Sequence, residues 1–190
     1  ARHADDLADE GNAAPETRLK QLDAWETLLE RCEADTSINQ PIFLALGDTI
    51  RQRGLDIDEL DNLLIAFRMD VTLHGYATLD ELLFYCRHSA NPVGRLMLML
   101  HGINSAEAFY CSDRICSALQ LINFWQDLSI DLPRGRSYLP ESWLLEAGLS
   151  AQQLLDAFFS EIGAQLKLSS GLGEIGESFE AYGEAIGGMG

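Results

Sequence analysis

The chain has 190 residues, of which 47% are hydrophobic, so it is long and apolar enough to fold around a core of its own. Its formal net charge of -17 excludes the basic footprint that nucleic-acid binding requires. The longest apolar runs, such as RLMLML, are too short to span a bilayer. The excess of acid therefore indicates either a solvated surface or a site that holds metal cations.

Apolar residues recur with helical spacing along most of the chain. Helix starts are signalled at Thr78 and Ser150, each followed three residues later by a Glu or Gln that completes a capping box. No run alternates with the period of two that a half-buried strand requires. The sequence therefore predicts an all-α fold, with helices near 1–12, 16–35, 40–53, 57–75, 79–102, 105–131, 140–147 and 151–168.

Two segments depart from this helical pattern. Pro92 falls inside the predicted helix 79–102 and has no N–H to give to the carbonyl of His88, so the helix is expected to kink there. Glycines interrupt the pattern in the tail 169–190, which is expected to pack poorly.

Four cysteines lie within apolar helical patterns and form no CxxC pair: Cys32, Cys86, Cys111 and Cys116. This arrangement is typical of buried thiols in a reducing compartment rather than of disulfides or a zinc site. The sequence therefore predicts a cytoplasmic protein with four buried thiols.

A polar stripe follows the segment 120–131, which is otherwise apolar. On a continuous helix, Gln120, Asn123, Asp127 and Asp131 fall on one face, because they are spaced by three or four residues. An unpaired carboxylate is costly to bury, so this face must meet water, a counter-charge or a metal.

A second acidic pair occurs near the start of the chain. Asp5 and Asp9 lie one helical turn apart, and Arg2 lies three residues before Asp5 on the same face. Either pair alone is more typical of a solvated surface than of a site. Together they are expected to face each other across a cavity and to hold Mg²⁺, which prefers oxygen ligands and bridges to substrate phosphates. Arg134 and Arg136, in the loop after the second pair, are expected to contact a diphosphate.

Three segments resemble motifs of the squalene/phytoene synthase family. RHADDLADE and QLINFWQDLSIDLPRGRSYLP resemble its two aspartate-rich signatures, and YCRHSANPVGRL resembles its central helix motif. The resemblance implies a single isoprenoid-synthase helical domain with a central cavity over residues 1–168, followed by the Gly-rich tail 169–190. It also implies that an N-terminal segment of the domain is missing from this sequence. The implied chemistry is the Mg²⁺-dependent ionisation of a prenyl diphosphate.

The resemblance assigns roles by position. It implies magnesium and diphosphate ligands at Asp5, Asp9, Asn123 and Asp127, with Asp131 completing the second motif. It implies substrate-diphosphate contacts at Arg2 and Gln120, and it places Tyr85 beside the reacting carbons. Asp127, Asp131 and Tyr85 are thus the residues expected to take part in catalysis.

Two departures from the family pattern point to one of its branches. Gln126 stands where members that condense two farnesyl diphosphates commonly have Arg, and Ser89-Ala90-Asn91 replaces the usual Val-Ala-Gly. Both features are similar to the hydroxysqualene synthase branch, which takes presqualene diphosphate and captures water. Ser89, Asn91 or Gln126 is expected to orient that water.

Two other functions remain open at this point. One is the head-to-head condensation of two farnesyl diphosphates to presqualene diphosphate, squalene or a carotenoid precursor. The other is a catalytically inactive relative that binds a prenyl lipid or scaffolds enzymes of the same pathway. Inactivity of the 190-residue chain by itself, with an active full-length synthase, also remains open. For an active enzyme we expect a prenyl diphosphate substrate, transient contact with the inner membrane surface for product release, and contacts with pathway enzymes.

Overall fold

The computed structural model describes residues 2–9, 11–32, 34, 38–150, 152–154 and 156, apart from the side chains of Asp9 and Ser129. Over these residues the chain is helical and contains no strand, so the predicted all-α fold is confirmed. The helices are α1 (Arg2–Asp9), α2 (Pro15–Cys32), α3 (Pro41–Arg53), α4 (Ile57–Thr72), α5 (Leu79–Ser89), α6 (Asn91–Leu100), α7 (Ala106–Gln126), α8 (Leu128–Asp131) and α9 (Glu141–Glu146), with a 3₁₀ turn at Leu132–Arg134.

The predicted helix 79–102 is interrupted where the sequence places Pro92. α5 ends at Ser89, and α6 begins at Asn91. Pro92 occupies the first turn of α6, where proline is well tolerated because the first N–H groups of a helix have no acceptor within that helix. The predicted disruption at Pro92 is therefore confirmed, but the prediction of a single helix over 79–102 is wrong, because α5 and α6 are separate helices.

The prediction of one continuous helix over 105–131 is wrong. α7 ends at Gln126, and α8 begins at Leu128 after Asp127 adopts φ -94° and ψ 9°. Aspartate is a poor residue for a helix interior, which favours a break here, although its side chain makes no capping hydrogen bond to α8.

The last described residues belong to the predicted helix 151–168. Residues 152–154 and 156 are helical, as predicted. The rest of that helix, the tail 169–190 and the predicted domain boundary at 168 lie outside the described residues. No helix within the described ranges is both long and apolar enough to cross a membrane.

The chain divides into two compact units. Unit 1 comprises residues 1–73 and 83–123, and unit 2 comprises residues 74–82 and 124–190. The apolar core of unit 1 is supplied by α1, α2, α3, α4 and α6, and its most buried members include Ala8, Leu22, Phe43, Ile50 and Leu64. The core of unit 2 is a leucine cluster formed by Leu128, Leu132, Leu139, Leu144 and Leu154.

Arg95 joins three helices of unit 1. Its guanidinium donates to Glu59 on α4 at 2.9 Å and to Asp113 on α7 at 2.8 Å. The hydrogen bonds to these carboxylates raise the pKa of Arg95, the one to Asp113 most strongly. Because the Glu59 side chain is only 7% exposed, Arg95 supplies the counter-charge that a buried carboxylate requires.

α6 also approaches α7 closely at two points. A Cβ atom at Gly94 would lie 2.4 Å from Ser112 Oγ and 2.5 Å from Cys116 Sγ, so any larger residue here would require these two side chains to move. One turn earlier, the Ser117 hydroxyl donates to the side-chain oxygen of buried Asn91 at 2.9 Å. Asn91 and Gly94 of the SANPVG segment are therefore packing residues between these two helices.

The prediction of four buried thiols is half right. Cys32 and Cys86 are buried, whereas Cys111 is exposed and Cys116 is partly exposed, and none of the four forms a disulfide. Both cysteines that are not buried lie on α7, and the α7 residues Ile115 and Leu119 are exposed as well. Because α7 is apolar on its exposed side too, hydrophobic periodicity could not identify the face that is buried.

Candidate active site

The first acidic pair lies on α1, which packs on α2 and α4 within unit 1. Ala4 and Ala8, one turn apart, are buried against these helices, and Leu7 packs partly against the same core. Small residues let the α1 backbone come close to its neighbours. Asp5 follows directly after Ala4 and is only partly exposed, so its carboxylate stands at the edge of the packed face.

The end of α1 is fixed by a residue that sequence analysis missed. Arg18 of α2 donates to the carbonyl oxygens of Ala8, Gly11 and Ala13, the last two at 2.7 and 3.1 Å. Helix carbonyls near a C-terminus lack helical partners, and a cation there also favours the helix dipole. α1 ends at Asp9, before the predicted residue 12, and Gly11 follows with φ 80°, a conformation that favours glycine.

The other two residues predicted on this helix are placed by its backbone. Arg2 is exposed and lies in the first turn of α1. Asp9 is the last residue of α1, one turn after Asp5, and its side chain lies outside what the structure describes.

The polar stripe of the second motif lies at the end of α7. Gln120 is partly exposed, whereas Asn123 and Gln126 are exposed, so this end of the helix presents amide groups to solvent. The apolar residues between them, Leu121 and Phe124, are buried. The predicted stripe is exposed at Asn123 and partly exposed at Gln120, but the apolar residues Leu119 and Ile122 beside it are exposed as well.

The two carboxylates of this motif flank the helix break. The carbonyl of Asp127 accepts from the N–H groups of Ile130 and Asp131, at 2.8 and 2.9 Å. The Asp127 side chain makes no capping hydrogen bond and is exposed, while Asp131 is partly exposed. The break thus leaves the Asp127 carboxylate in solvent, where it can bind a cation.

Both predicted arginines lie in a tight turn directly after Asp131. The N–H of Gly135 donates to the carbonyl of Leu132 at 3.0 Å, and the N–H of Arg136 donates to the carbonyl of Asp131 at 3.1 Å. With Gly135 at φ 76°, these two bonds form a Schellman motif. The turn reverses the chain and brings the backbone of Arg136 to Asp131.

An aromatic stack in unit 2 supports the segment after this turn. The rings of Tyr138 and Phe124 are parallel, with centroids 3.8 Å apart, and Tyr76 stacks on Tyr138 at 6.1 Å. The indole N–H of Trp125 donates to the carbonyl of Tyr138 at 3.4 Å. Tyr138 therefore joins the turn that carries Arg134 and Arg136 (the arginine turn) to the end of α7. This role could not be inferred from the sequence SYLP.

Backbone pairing secures the same segment from its other side. The N–H of Ser137 donates to the carbonyl of His74 at 2.8 Å, and the N–H of Glu141 donates to the carbonyl of Tyr76 at 2.9 Å. Tyr76 and Pro140 form a parallel bridge. The extended residues on both sides of Tyr138 are thus hydrogen-bonded to the segment before α5.

The predicted catalytic Tyr85 is buried in the second half of α5, with 6% of its surface exposed. Its neighbour Cys86 is also buried, and burial raises the pKa of that thiol to about 12, so it stays protonated and unreactive. Ser89, one turn after Tyr85 on the same helix face, has a buried hydroxyl with no hydrogen-bond partner among the described residues.

The two acidic motifs belong to different units: Asp5 and Asp9 to unit 1, and Asp127 and Asp131 to unit 2. Their convergence on one cavity stays a prediction. Within the described part of the chain, no group of three His, Cys, Asp or Glu side chains forms a metal centre by itself.

Comparison with known proteins places the chain in a family. The model of the squalene/phytoene synthase family matches residues 1–166. Hydroxysqualene synthase of Rhodopseudomonas palustris is 41% identical over 155 residues, which cover 80% of this chain and 51% of that protein. Phytoene synthase of Mycobacterium tuberculosis is 34% identical over 148 residues, which cover 78% of this chain and 48% of that protein.

A solved structure supports the same family assignment. The crystal structure of squalene synthase HpnC from Alicyclobacillus acidocaldarius matches with a TM-score of 0.77 and 34% identity, over 94% of this chain and 66% of that one. The chain belongs to the squalene/phytoene synthase family, so the family inferred from its three motifs is confirmed. It spans about half the length of the curated relatives it matches.

Proposed function

We propose that the full-length protein is a hydroxysqualene synthase, which converts presqualene diphosphate and water to hydroxysqualene and pyrophosphate. The observation that carries this proposal is the second acidic motif, in which Asp127, Asp131 and a turn with two arginines follow one another within ten residues. The 41% identity to a hydroxysqualene synthase supports the same branch.

The neutral residue before Asp127 favours a substrate with a single diphosphate. Gln126 is the last residue of α7 and is exposed, so an arginine would fit at this position without burial of its charge. An enzyme that binds two farnesyl diphosphates has two anionic groups to neutralise. A neutral amide beside the acidic motif is adequate when only one diphosphate is bound.

Mg²⁺ fits the donor groups that the chain presents. Asp5, Asp127 and Asp131 are carboxylates with at least partial exposure, and Asn123 adds an exposed amide oxygen. Such hard oxygen donors with access to water suit Mg²⁺, which keeps several waters and binds phosphate oxygens. We propose these residues, together with Asp9, as its ligands; a bound Mg²⁺ would neutralise the charge on the leaving pyrophosphate.

The remaining site residues would then act on the substrate directly. Arg134 and Arg136, held by the Schellman turn, would bind diphosphate oxygens with charge-assisted hydrogen bonds, and Arg2 and Gln120 would add contacts from unit 1. Buried Tyr85 would line the site of the carbocation. Apolar side chains around a carbocation keep bulk water away from it until a single positioned water molecule reacts.

Product analysis tests this function. The full-length protein is incubated with Mg²⁺ and presqualene diphosphate in water labelled with oxygen-18, without a nicotinamide cofactor. We expect pyrophosphate release at a rate that depends on Mg²⁺, and an alcohol that carries the label. With farnesyl diphosphate alone, we expect little pyrophosphate release.

The alternatives give different products. Efficient consumption of farnesyl diphosphate would overturn the proposal in favour of a condensing enzyme, a function for which the 34% identity to a phytoene synthase is the supporting observation. Failure to release pyrophosphate from either substrate, with prenyl diphosphate binding retained, would indicate a lipid-binding or scaffolding relative. Sedimentation with vesicles made from inner-membrane lipids, before and after turnover, would test the proposed membrane contact.

A further inference from the structure

The break between α5 and α6 leaves polar groups of two adjacent residues without their usual partners. The Ser89 hydroxyl is buried and accepts or donates no hydrogen bond among the described residues. The carbonyl of His88 would normally accept from the N–H of residue 92, but Pro92 has none. Buried polar groups are nearly always satisfied, and a water molecule is the usual partner when no protein group is present.

The other two residues considered for a role with water are less suited to hold it. The side-chain oxygen of Asn91 already accepts from Ser117 at 2.9 Å. Gln126 is exposed, so any water it binds exchanges with bulk solvent. Ser89 differs from both, because its hydroxyl is shielded and makes no hydrogen bond to any residue that the structure describes.

Ser89 also lies on the same helix as Tyr85, the residue that the family resemblance assigns to a position beside the reacting carbons. It follows Tyr85 by four residues within α5, which puts the two on one helix face. Both residues belong to unit 1. A water held at Ser89 would therefore lie at the end of the same face that Tyr85 presents.

We propose that Ser89 is the positioning residue for the water that is captured during hydroxysqualene formation, an inference that rests on the proposed function. The C–O bond of presqualene diphosphate breaks, and pyrophosphate leaves with the bonding electrons. After rearrangement of the cation, the oxygen of the held water forms a C–O bond with the cationic carbon. The resulting oxonium gives its extra proton to pyrophosphate, so the products are the alcohol and pyrophosphate.

Ser89 would not act as a base in this step. Its hydroxyl accepts a hydrogen bond from the water and so orients an oxygen lone pair toward the cation. Without an oriented water, the cation can lose a proton from a neighbouring carbon and yield a hydrocarbon. The ratio of alcohol to hydrocarbon therefore reports on Ser89 separately from ionisation.

The test compares Ser89→Ala with the wild-type full-length protein on presqualene diphosphate and Mg²⁺. We expect pyrophosphate release to stay within about twofold, because ionisation does not use this hydroxyl, while the ratio of alcohol to hydrocarbon falls on the order of tenfold or more. Ser89→Thr, which keeps a hydroxyl, is expected to restore much of the alcohol. Ser117→Ala is the matched control, since it removes a hydroxyl from α7 that pairs with Asn91 and is expected to lower the melting temperature without changing the ratio.

The outcomes separate the two proposals. If wild type releases pyrophosphate and forms the alcohol but Ser89→Ala leaves the ratio unchanged, Ser89 holds only a structural water and this inference is wrong. If wild type does not turn over presqualene diphosphate, the proposed function fails and the inference falls with it. A fall in pyrophosphate release equal to the fall in alcohol, with a lowered melting temperature, would show a structural role and would also overturn the inference.

Discussion

α1 and the segment 120–136 carry the same spacing of carboxylates on different kinds of backbone. α1 is one regular helix whose acidic residues adjoin a buried face of Ala4 and Ala8. The second segment is a helix end, a break at Asp127, a short helix and a Schellman turn, all within unit 2 after residue 123. A sequence motif of two aspartates four residues apart therefore does not define one local structure.

The difference lies in what holds each motif in place. α1 depends on packing against α2 and α4 and on the cap from Arg18, all distant in sequence from Asp5. The second motif depends on hydrogen bonds within its own turn, on the stack of Tyr138 with Phe124, and on the backbone hydrogen bonds that tie the following residues to the segment before α5. The first motif should thus be sensitive to core substitutions, and the second to changes in its turn.

The largest expected effect comes from the carboxylates themselves. Asp127→Asn and Asp5→Asn should each lower kcat/KM for presqualene diphosphate on the order of 10²–10³-fold, because each removes a negative charge from a proposed metal ligand. Stability should change little, since Asp127 is exposed and makes no capping bond. Steady-state kinetics as a function of Mg²⁺ concentration would measure the loss.

Asp6→Asn is the matched control, because Asp6 neighbours Asp5 but lies off the stripe that Asp5 shares with Asp9. It should leave turnover within about threefold. Equal losses in Asp6→Asn and Asp5→Asn would show that overall charge, and not the spacing, matters on α1.

A core substitution under α1 tests its dependence on packing. Ala8 is fully buried, so Ala8→Leu should lower the free energy of unfolding by about 1–3 kcal/mol through overpacking and should displace α1 from α4. Turnover should fall even though no ligand is changed. Thermal unfolding followed by circular dichroism, with activity measured at the same temperature, would show both effects.

Ala24→Leu on the exposed side of α2 is the control for this substitution and should be nearly neutral. A neutral result for Ala8→Leu as well would mean that α1 is not held by its alanine face.

The Schellman turn gives the corresponding test for the second motif. Gly135→Ala places a Cβ at φ 76°, which should cost about 1 kcal/mol although the space around it is open. Because the turn positions Arg134 and Arg136, the variant should also bind magnesium pyrophosphate more weakly. Isothermal titration calorimetry would measure the change in Kd.

Gly102→Ala provides a matched comparison for this turn. Gly102 also has φ 76°, open space and Schellman hydrogen bonds, but it lies at the end of α6 and away from either motif in sequence. It should lower stability by a similar amount and leave pyrophosphate affinity unchanged. An equal loss of affinity in both variants would count against the arginine turn as an anion site.

The smallest expected effect concerns α4, on which α1 rests. Burial, followed by the charges of Glu26, Asp58 and Glu30, raises the pKa of Asp61 above 3.8, and Arg68 only partly offsets this. A carboxyl whose pKa is higher in the folded state stabilises the fold below its unfolded pKa, and this stability is lost as pH rises through the folded pKa. Charged Asp61 therefore destabilises the protein at neutral pH.

Asp61→Asn should then raise the free energy of unfolding at pH 7 by about 0.5–1 kcal/mol, a value reduced for solvent screening. The gain should shrink as pH falls, because the raised pKa lets the wild-type carboxyl take up its proton earlier than an ordinary aspartate. Urea unfolding at several pH values would measure it. A gain that is independent of pH would assign the cost to the unpaired Asp61 oxygen rather than to its charge.

The sequence predicted the helices and the positions of both acidic motifs because apolar periodicity and capping residues are local signals. It predicted a disruption of the helix at Pro92, because the lack of an N–H group is a local property of proline. The break at Asp127 escaped prediction, because DLSID continues the helical pattern and only the backbone shows the change. The roles of Arg18, Asn91 and Tyr138 depend on partners from other helices or turns, which spacing along the chain cannot reveal.

The docking of α1 on α4 also has a consequence for the order of folding. Ala4 and Ala8 are buried only when residues some fifty positions later have formed α4, so the first motif needs a long-range contact before it is in place. The turn from Asp131 to Arg136 closes over six residues and can form at once. Local contacts form faster than distant ones, so the second motif should acquire its native turn while α1 is still exchanging. Hydrogen exchange during refolding would record protection of the Arg136 amide before that of the amides in α1.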